Sequence, residues 1–209
     1  MPTIEQFYEK YWEIPDGNYD PTTPQRQALL RKHVTLRPNA RILDVGCGRG
    51  EFCAFFRQLG WNPQGIDISR TGIAHARSQH AGISFRAIEV QALVPDEAEA
   101  YDCVFSSEVI EHLFDVQTYL ESINRLLKSD GLLVLTTPYH SFIKNVIVDL
   151  LNYSKHYDPL GPHIRFFNQR SLEGVLRQCG FVPQVWTGYG RPWPFWKSFF
   201  VVSRKERAV

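Results

Sequence analysis

The chain has 209 residues, of which 44% are hydrophobic and 22% are charged, so it can form a domain with a sizeable core and is not expected to be disordered. The formal net charge is only +1, but residues 1–150 carry 14 Lys and Arg against 19 Asp and Glu, whereas residues 151–209 carry 9 against 3. A basic tail is compatible with an anionic substrate, an anionic membrane surface or RNA, and equally with a solvated basic face.

The cysteines and the N-terminus predict the compartment. The four cysteines lack the C-x-x-C spacing of metal and redox motifs and the density of a secreted disulfide scaffold, so we expect reduced thiols in a cytoplasmic protein. The first residues, MPTIEQFYEK, are acidic and aromatic, unlike a signal peptide. No apolar run approaches the roughly 18 residues that span a bilayer. The sequence therefore predicts a soluble protein that could still contact a membrane surface.

The first half of the chain predicts strands and helices in alternation. Residues 1–38 form a helical lead, with a helix that begins near Pro24. Short apolar runs bounded by turn residues predict four strands, and apolar residues at helical spacing predict the helices between them. The predicted strands are ARILDVGC, NPQGIDIS, ISFRAIEV and YDCVFSS, and the predicted helices are FCAFFRQLG and RTGIAHARSQH.

The second half continues this alternation and then interrupts it. Asp115 is a candidate N-cap for an amphipathic helix. DGLLVLTTP predicts a fifth strand that begins with a turn at Asp130-Gly131 and that Pro138 closes. Residues 139–168 form an insertion with one predicted helix, Phe142 to Leu151, well placed to cover a ligand crevice. NQRSLEGVLRQCGF predicts a further helix. The remainder predicts two strands joined by a loop around residues 188–194.

Strands that alternate with helices imply a parallel sheet with helices on both faces. We therefore predict a single α/β domain over residues 1–209, with a Rossmann-like, doubly wound fold. Its sheet is mostly parallel and seven-stranded, with a C-terminal antiparallel hairpin and a small helical cap insertion at residues 139–168.

A glycine-rich turn in ILDVGCGRGEF follows the first predicted strand. Gly46, Gly48 and Gly50 give G-x-G-x-G, whereas the dinucleotide fingerprint G-x-G-x-x-G has a glycine where Glu51 stands. Asp44 precedes the turn, so a pyrophosphate would face two carboxylates. Dinucleotide binding is therefore disfavoured.

A ligand with an amine, a carboxylate, a sulfonium and an adenosine fits this turn better. The helix N-terminus can take the carboxylate, and Asp44 can attract the amine. Asp67, which ends the second strand in GIDIS, can accept both ribose hydroxyls. These features predict S-adenosylmethionine as the cofactor. The alternative is a tight turn that only needs small residues.

Four segments, ILDVGCGRGEF, GIDIS, SSEVIEHL and GLLVLTTP, occur in the order and spacing of the class I S-adenosylmethionine-dependent methyltransferases. The resemblance covers roughly residues 40–140. It implies that Asp67 and its neighbour bind the ribose, that Glu89 or Val90 flanks the adenine, and that Ser107 lies beside the methionine part. Glu89 stands where the family often has Asp. The implied cofactor residues are Asp44, Gly46, Cys47, Gly48, Gly50, Asp67, Ile68, Glu89, Val90 and Ser107.

Glu108, Glu111 and His112 occupy positions i, i+3 and i+4 after the fourth strand, and in a helix they would share one face. Two carboxylates and an imidazole can hold Mg²⁺ or Mn²⁺, which could lower the pKa of a substrate hydroxyl. Alternatively, His112 acts alone as general base, and His140, just after the fifth strand, is a second candidate base. In the ordinary alternative, the acids favour a first helical turn and the histidine bonds locally.

The E-x-x-E-H pattern resembles the metal motif of the ubiquinone-biosynthesis O-methyltransferases. It also resembles that of the small-RNA 3′-terminal 2′-O-methyltransferases, which add a later histidine, and His163 in GPHIRFF stands at a comparable place. The ubiquinone-biosynthesis group is also similar in its downstream layout, where GPHIRFFNQRSLEGVLRQCGF leads into an aromatic tail. This resemblance implies O-methylation of a small molecule, either a phenolic or quinone precursor or a sugar.

Three alternatives remain at this point. One is a metal-dependent RNA 3′-terminal 2′-O-methyltransferase, although the chain has no recognisable RNA-binding module and nucleic acid is not the favoured partner. The second is a noncatalytic module that binds S-adenosylmethionine, and the third is a nicotinamide dehydrogenase. No feature of the sequence indicates an oligomeric state.

Aromatic residues near both ends suggest further contacts. Tyr8, Tyr11 and Trp12 could fold over the cofactor. The aromatic and basic C-terminal segment could wall an acceptor pocket or make a peripheral membrane contact, or it could pack over the sheet edge. Its aromatic residues are Trp186, Tyr189, Trp193, Phe195, Trp196, Phe199 and Phe200.

Overall fold

A computed structural model describes residues 4–13, 20–156 and 161–206. The helices are α1 (Ile4–Trp12), α2 (Thr23–His33), α3 (Glu51–Gln58), α4 (Arg70–Gln79), α5 (Val94–Glu97), α6 (Val116–Leu126), α7 (Phe142–His156) and α8 (Gln169–Gln178). The strands are β1 (Arg41–Val45), β2 (Asn62–Asp67), β3 (Ser84–Ala87), β4 (Tyr101–Ser107), β5 (Leu127–Pro138), β6 (Phe181–Tyr189) and β7 (Ser198–Lys205). Short 3₁₀ helices cover Val90–Leu93 and Ile110–His112.

The seven strands form one sheet in the order β3-β2-β1-β4-β5-β7-β6. Strands β1 to β5 pair in parallel, whereas β7 lies antiparallel between β5 and β6. The predicted doubly wound, mostly parallel sheet with a C-terminal hairpin is confirmed. The strand order reverses between β1 and β4, where open α/β sheets bind ligands at the carboxyl ends of the strands. The extent of the single domain over residues 1–209 stays a prediction.

The core lies on both faces of the sheet. Because successive strand residues point to opposite faces, Ile42 packs with Phe56 and Trp61 from the α3 side. The next residue, Leu43, packs with Leu120 and other residues of the α6 and α8 side. A strand buried on both faces reads as a continuous apolar run, which explains why the strands were visible in the sequence.

Local hydrogen bonds fix several helix starts. The side chain of Asp115 accepts a hydrogen bond from the Thr118 N–H at 3.0 Å, which confirms the predicted N-cap of α6. Ser69 caps α4 in the same way, through the Gly72 N–H. Asn168 and Ser171 form a reciprocal capping box at the start of α8.

Strand β5 begins at Leu127, earlier than the Asp130-Gly131 turn that was expected to start it. Asp130 adopts a left-handed φ of 63°, and the pairing with β4 shifts register between Tyr101 and Cys103. The predicted turn is therefore an irregularity within β5. The cause is that α6 ends at Leu126 and the chain enters the sheet directly.

The insertion at residues 139–168 leaves and rejoins the fold at one place. Tyr139 and Phe167 form a parallel bridge, and the His140 N–H donates to the Phe167 carbonyl at 3.1 Å. Its helix, α7, runs to His156 and is longer than the predicted Phe142–Leu151.

All four cysteines are free and buried. Within the described ranges, no helix is both long enough and apolar enough to cross a membrane.

Candidate active site

A cavity of about 1450 Å³ opens at the carboxyl ends of the parallel strands. Ligand pockets are commonly about 300–1,000 Å³, so this cavity has room for a cofactor and a second small molecule. Of the ten predicted cofactor residues, Gly50 does not line it. The nine that do are Asp44, Gly46, Cys47, Gly48, Asp67, Ile68, Glu89, Val90 and Ser107.

The glycine turn, residues 46–50, requires left-handed backbone. Gly46 and Gly48 have φ of 75° and 50°, a region that side chains with a Cβ rarely adopt. The N–H groups of Gly46 and Cys47 both donate to the Ile66 carbonyl, at 2.9 and 3.0 Å, which ties the turn to β2. Gly50, at φ 82°, precedes α3, and a Cβ there would lie 2.7 Å from the Phe85 ring. Gly50 therefore contributes to the backbone of the turn on the side that packs against Phe85, away from the cavity.

Asp44 lies at the base of the turn and is buried. The thiol of Cys53 donates to its Oδ2 at 3.4 Å. Burial raises the pKa of Asp44 to about 7, and the neighbouring Asp67 carboxylate also raises it. A cationic amine bound beside Asp44 would stabilise the ionised carboxylate, as the predicted cofactor requires.

Asp67 ends β2 and is held by backbone donors. Its Oδ2 accepts from the Gly48 N–H and its Oδ1 from the Ser69 N–H, both at 2.9 Å. Burial raises the pKa of Asp67, although these two hydrogen bonds oppose the shift. The Ile88 N–H donates to the Asp67 carbonyl at 2.9 Å, which brings the loop of Glu89 to the same cavity.

Helix α1 covers the glycine turn. A Cβ on Gly48 would lie 2.4 Å from the Trp12 ring, and Tyr8 packs edge-on against His112 with ring centroids 5.7 Å apart. Tyr8, Tyr11 and Trp12 all line the cavity. The expectation that these three residues fold over the cofactor stays a prediction.

Glu9 fastens α1 to the start of α4. Its carboxylate accepts from the N–H groups of Arg70 and Thr71, at 2.6 and 3.0 Å, and from the Ser69 hydroxyl at 3.1 Å. A carboxylate at a helix N-terminus is favourable because it satisfies N–H groups there and complements the helix dipole. Sequence reasoning missed Glu9 because its partners lie about sixty positions away.

Glu111, His112 and His163 form a compact group, here called the Glu-His cluster. One possible ligand atom from each lies within 4.8 Å of the other two. The Glu111 side chain is buried, and its Oε2 accepts from the Thr137 hydroxyl at 3.0 Å. Its Oε1 is buried without a hydrogen-bond partner among the described residues. Burial raises the pKa of Glu111, and Glu108 adds to the shift.

The tautomer of His112 follows from its hydrogen bond. Its Nδ1 lies 2.9 Å from the Pro162 carbonyl, which can only accept, so Nδ1 carries the proton. Burial lowers the pKa of His112 to about 4, so the ring is neutral at physiological pH. The lone pair of Nε2, 3.8 Å from Glu111 Oε1, is therefore available to a proton or a cation.

The Glu-His cluster has the chemistry of a metal site. One buried oxygen of Glu111 has no hydrogen-bond donor among the described residues. The neutral imidazole of His112 presents Nε2, while the Pro162 carbonyl fixes Nδ1, which is the usual arrangement around metal-ligating histidines. The His163 ring lies 4.7 Å from that of His112. These three side chains fit a divalent cation.

Glu108 also lines the cavity, but it lies outside the Glu-His cluster. It has a left-handed φ of 55°, and only Ile110–His112 is helical, as one 3₁₀ turn. Its carboxylate accepts from the hydroxyls of Thr136, Tyr189 and Ser198, at 2.9, 2.9 and 3.1 Å. The expectation that Glu108, Glu111 and His112 share one helical face is wrong, because a left-handed residue ends regular helix and three hydroxyls hold Glu108.

The other predicted site residues have mixed surroundings. His140 is buried and lines the cavity, with Nδ1 3.3 Å from Asn145 Oδ1.

The Ser107 hydroxyl accepts from Arg26 at 2.6 Å, and Arg26 also pairs with Asp20 at 2.7 Å. Sequence reasoning missed Arg26, a buried cation on α2, since its partner Ser107 is 81 positions away.

The sequence matches one family model and several curated proteins. Residues 22–184 match a family model described as a methyltransferase domain. A protein of Chelativorans sp. (strain BNC1) named Ubiquinone biosynthesis O-methyltransferase is 30% identical over 199 residues, which cover 85% of this chain and 78% of that protein. A protein of the same name from Rhodopseudomonas palustris (strain TIE-1) is 38% identical over 194 residues, covering 82% and 75%.

The chain belongs to the S-adenosylmethionine-dependent methyltransferases. The methyltransferase is also similar in structure to the 1,6-didemethyltoxoflavin-N1-methyltransferase of Burkholderia thailandensis, with a TM-score of 0.74 and 21% identity over 97% of this chain and 87% of that one. That structure contains 1,6-didemethyltoxoflavin and S-adenosylhomocysteine.

A second structural relative shows what the fold does not decide. The [4+2]-cyclase SpnF matches the methyltransferase with a TM-score of 0.76 and 16% identity, over 99% of this chain and 97% of that one. At such identities the likeness shows the fold alone, and a fold hosts several chemistries. The roles of individual cofactor, catalytic and metal residues in this methyltransferase stay predictions.

Proposed function

We propose that the methyltransferase transfers the methyl group of S-adenosylmethionine to a hydroxyl oxygen of a small molecule. A phenolic or quinone-precursor ring is the preferred acceptor, and a sugar hydroxyl is the second. The observation that carries the proposal is that the Glu-His cluster lines the same cavity as the glycine turn. The names of the two curated relatives support oxygen as the acceptor atom.

The transfer needs alignment more than activation of the donor. The C–S bond of the sulfonium breaks as a C–O bond forms, and the hydroxyl proton leaves. Holding the two reactants in line can contribute about 7–11 kcal/mol in favourable cases. The cavity supports such alignment, because Asp44 and Asp67 provide contacts for the cofactor near the glycine turn and Glu111 and His112 lie farther along, after β4.

His112 is the proposed general base. Its neutral Nε2 can accept the hydroxyl proton, and the Pro162 carbonyl, which accepts from Nδ1–H, would stabilise the imidazolium that forms. Proton transfer of this kind contributes about 10²–10⁴-fold to a rate when the pKa of the base lies near the working pH. The bound acceptor must therefore raise the pKa of His112 above its value of about 4 in the unliganded protein. His140, buried in the same cavity, remains the second candidate.

A divalent ion, Mg²⁺ or Mn²⁺, is a further proposal for the Glu-His cluster. Glu111, His112 and His163 would hold it, and a bound ion would lower the pKa of an acceptor hydroxyl. As a ligand, His112 would not also serve as base, so the two roles exclude each other. Glu108 was predicted as a fourth ligand, but its carboxylate is engaged by three hydroxyls.

Mn²⁺ binding measured by electron paramagnetic resonance separates these roles without reference to activity. Glu111→Gln and His163→Ala are expected to abolish a stoichiometric site, and Glu108→Gln to weaken it less. Glu121→Gln is the matched control, because Glu121 is exposed on α6 and accepts from Gln117. A wild-type protein without stoichiometric Mn²⁺ would leave His112 as the proposed base.

An RNA 3′-terminal 2′-O-methyltransferase remains the second candidate, since His163 joins Glu111 and His112 as it would in the small-RNA enzymes that the sequence resembles. An acceptor panel distinguishes the candidates. We would supply S-adenosylmethionine with a deuterated methyl group to catechols, sugars and an RNA oligonucleotide, and locate the label by mass spectrometry.

The expected result is label on a catechol oxygen. Label on the RNA terminus would favour the second candidate. Cofactor binding with no transfer to any acceptor in cell-derived small-molecule pools would favour a noncatalytic module, and label on nitrogen alone would contradict the proposal.

A further inference from the structure

The chain passes the Glu-His cluster a second time in residues 161–167, here called the return segment, just before α8. Its residues 163–166 are exposed, whereas Phe167 is buried and forms a bridge with Tyr139. Burial of apolar surface therefore anchors the C-terminal end of the return segment. The position of its exposed part depends on polar contacts.

Hydrogen bonds attach the exposed part to the loop after β4. The N–H groups of Ile164 and Arg165 both donate to the Glu111 carbonyl, at 3.0 Å each. Nδ1–H of His112 donates to the Pro162 carbonyl at 2.9 Å. The return segment thus contacts the backbone of one member of the Glu-His cluster and the ring of another, and it carries the third member itself.

The side chain of Arg165 makes a further attachment to the same loop. Its Nε donates to the Leu113 carbonyl at 3.3 Å, and a terminal NH₂ group donates to the Phe114 carbonyl at 2.6 Å. The guanidinium carbon also lies 5.8 Å from the centre of the Phe114 ring. A guanidinium holds its donors in a rigid planar fork, so two adjacent carbonyls fix both the fork and the segment that carries it.

The tautomer of His112 depends on two competing acceptors. The Pro162 carbonyl lies 2.9 Å from Nδ1, and Oε1 of Glu111, which lacks a donor among the described residues, lies 3.8 Å from Nε2. While the return segment is in place, the closer acceptor keeps the proton on Nδ1. If that segment moved away, Glu111 would become the better acceptor and the proton would shift to Nε2. The lone pair that a base or a metal ligand needs would then be lost.

We propose that Arg165 is a positioning residue for the Glu-His cluster, because its fork on the Leu113 and Phe114 carbonyls holds the Pro162 carbonyl against Nδ1 of His112. Arg165 does not itself line the cavity, whereas its neighbour Ile164 does, so it acts through His112. The role rests on the proposed function of the Glu-His cluster.

Histidine tautomers measured by NMR test this role without any acceptor. Proton–nitrogen correlation spectra of isotope-labelled protein distinguish Nδ1–H from Nε2–H in each neutral ring, and His112→Gln identifies the signal. At about pH 7.5, where the ring is neutral, we expect the Nδ1–H form in the wild type. Arg165→Gln should shift most of the population to the Nε2–H form.

Two matched variants isolate the fork. Arg165→Lys keeps the charge but loses the planar fork, so it should behave like the glutamine variant. Arg170→Gln replaces an exposed arginine in the first turn of α8 and should keep the wild-type tautomer. Circular dichroism reports folding. Adenosylhomocysteine affinity should stay within about twofold of wild type in all three variants, because the changes are on the surface and away from the glycine turn.

Three results would overturn the proposal. They are a wild-type His112 in the Nε2–H form, a folded Arg165→Gln variant with the wild-type tautomer, and an Arg165→Lys variant with that tautomer, since charge alone would then suffice. With a methylated acceptor, Arg165→Gln should lower kcat about 10–100-fold, as expected for a residue that orients a working histidine. A wild-type chain with the expected tautomers but no transfer to any acceptor would contradict the proposed function instead, so the two failures are distinguishable.

Discussion

The Gly48 N–H donates to the Asp67 carboxylate at 2.9 Å, so the glycine turn after β1 and the acid that ends β2 are one unit. Asp67→Asn replaces the acceptor at this position with a group that lacks the charge. We expect adenosylhomocysteine to bind about tenfold to a hundredfold more weakly, because a hydrogen bond to a charged group contributes about 1.5–3 kcal/mol. Isothermal titration calorimetry measures the loss.

Asp102→Asn is the matched control for this carboxylate, because Asp102 pairs with Lys128 and does not line the cavity. Equal loss of affinity in both variants would show that Asp67 acts only through stability.

Asp44 predicts a pH dependence of cofactor binding. Its pKa in the unliganded protein is about 7, and a ligand amine favours the ionised carboxylate, so affinity should be constant above about pH 7 and fall about tenfold per unit below it. The raised folded-state pKa also makes the unliganded protein lose stability as pH rises from about 4 to about 7. Titrations of adenosylhomocysteine between about pH 5.5 and 8.5 measure the slope. Asp44→Asn should bind weakly and without this slope, and a wild-type affinity that is flat over the range would refute the assignment.

Gly48→Ala tests the close approach of α1 to the glycine turn. The added Cβ would lie 2.4 Å from the Trp12 ring at a φ of 50°, so the turn or the helix must move. We expect cofactor affinity to fall at least about tenfold and the thermal midpoint to drop. Differential scanning fluorimetry with and without adenosylhomocysteine measures both effects.

The same substitution at Gly174 provides the comparison. Gly174 lies within α8, and a Cβ added there would meet no described atom within 4 Å outside the helix's own backbone. Alanine should therefore stabilise the fold by about 0.4–1 kcal/mol and leave cofactor affinity unchanged. If both alanines behaved alike, the contact between Trp12 and the turn would have no role.

Removing the charge of Glu9 should change the rate at which the cofactor dissociates. Without its charge, α1 loses its attachment to the N-terminus of α4, and we expect adenosylhomocysteine to dissociate about two- to fivefold faster from Glu9→Gln. Stopped-flow displacement gives the rate. Glu5→Gln, an exposed acid on the same helix, should not change it. Identical rates in wild type and Glu9→Gln would mean that α1 does not retain the cofactor.

The sheet and the cofactor side of the cavity were predictable because their signals are local. The glycine turn, Asp44 and Asp67 each adjoin an apolar strand, and parallel strands bring their carboxyl ends to one edge of the sheet. Spacing along ten or twenty residues was sufficient to place them together.

The acceptor side was less predictable because it depends on long-range contacts. A helical reading of the E-x-x-E-H pattern grouped Glu108 with Glu111. Glu108 has a left-handed φ, and the hydroxyls of Tyr189 and Ser198, more than eighty residues away, hold its carboxylate outside the Glu-His cluster. The exposure of Phe142, Leu150 and Leu151 on α7 was hidden for the same reason, since an amphipathic sequence does not state which face meets the protein.

The central claim is that the Glu-His cluster performs the chemistry beside the cofactor turn. It is tested most directly by measuring adenosylhomocysteine affinity and methyl transfer together in His112→Gln and Glu111→Gln, with an acceptor from the panel. We predict affinity within about threefold of wild type and transfer reduced about 10²–10⁴-fold. Transfer at the wild-type rate in both folded variants would contradict the account.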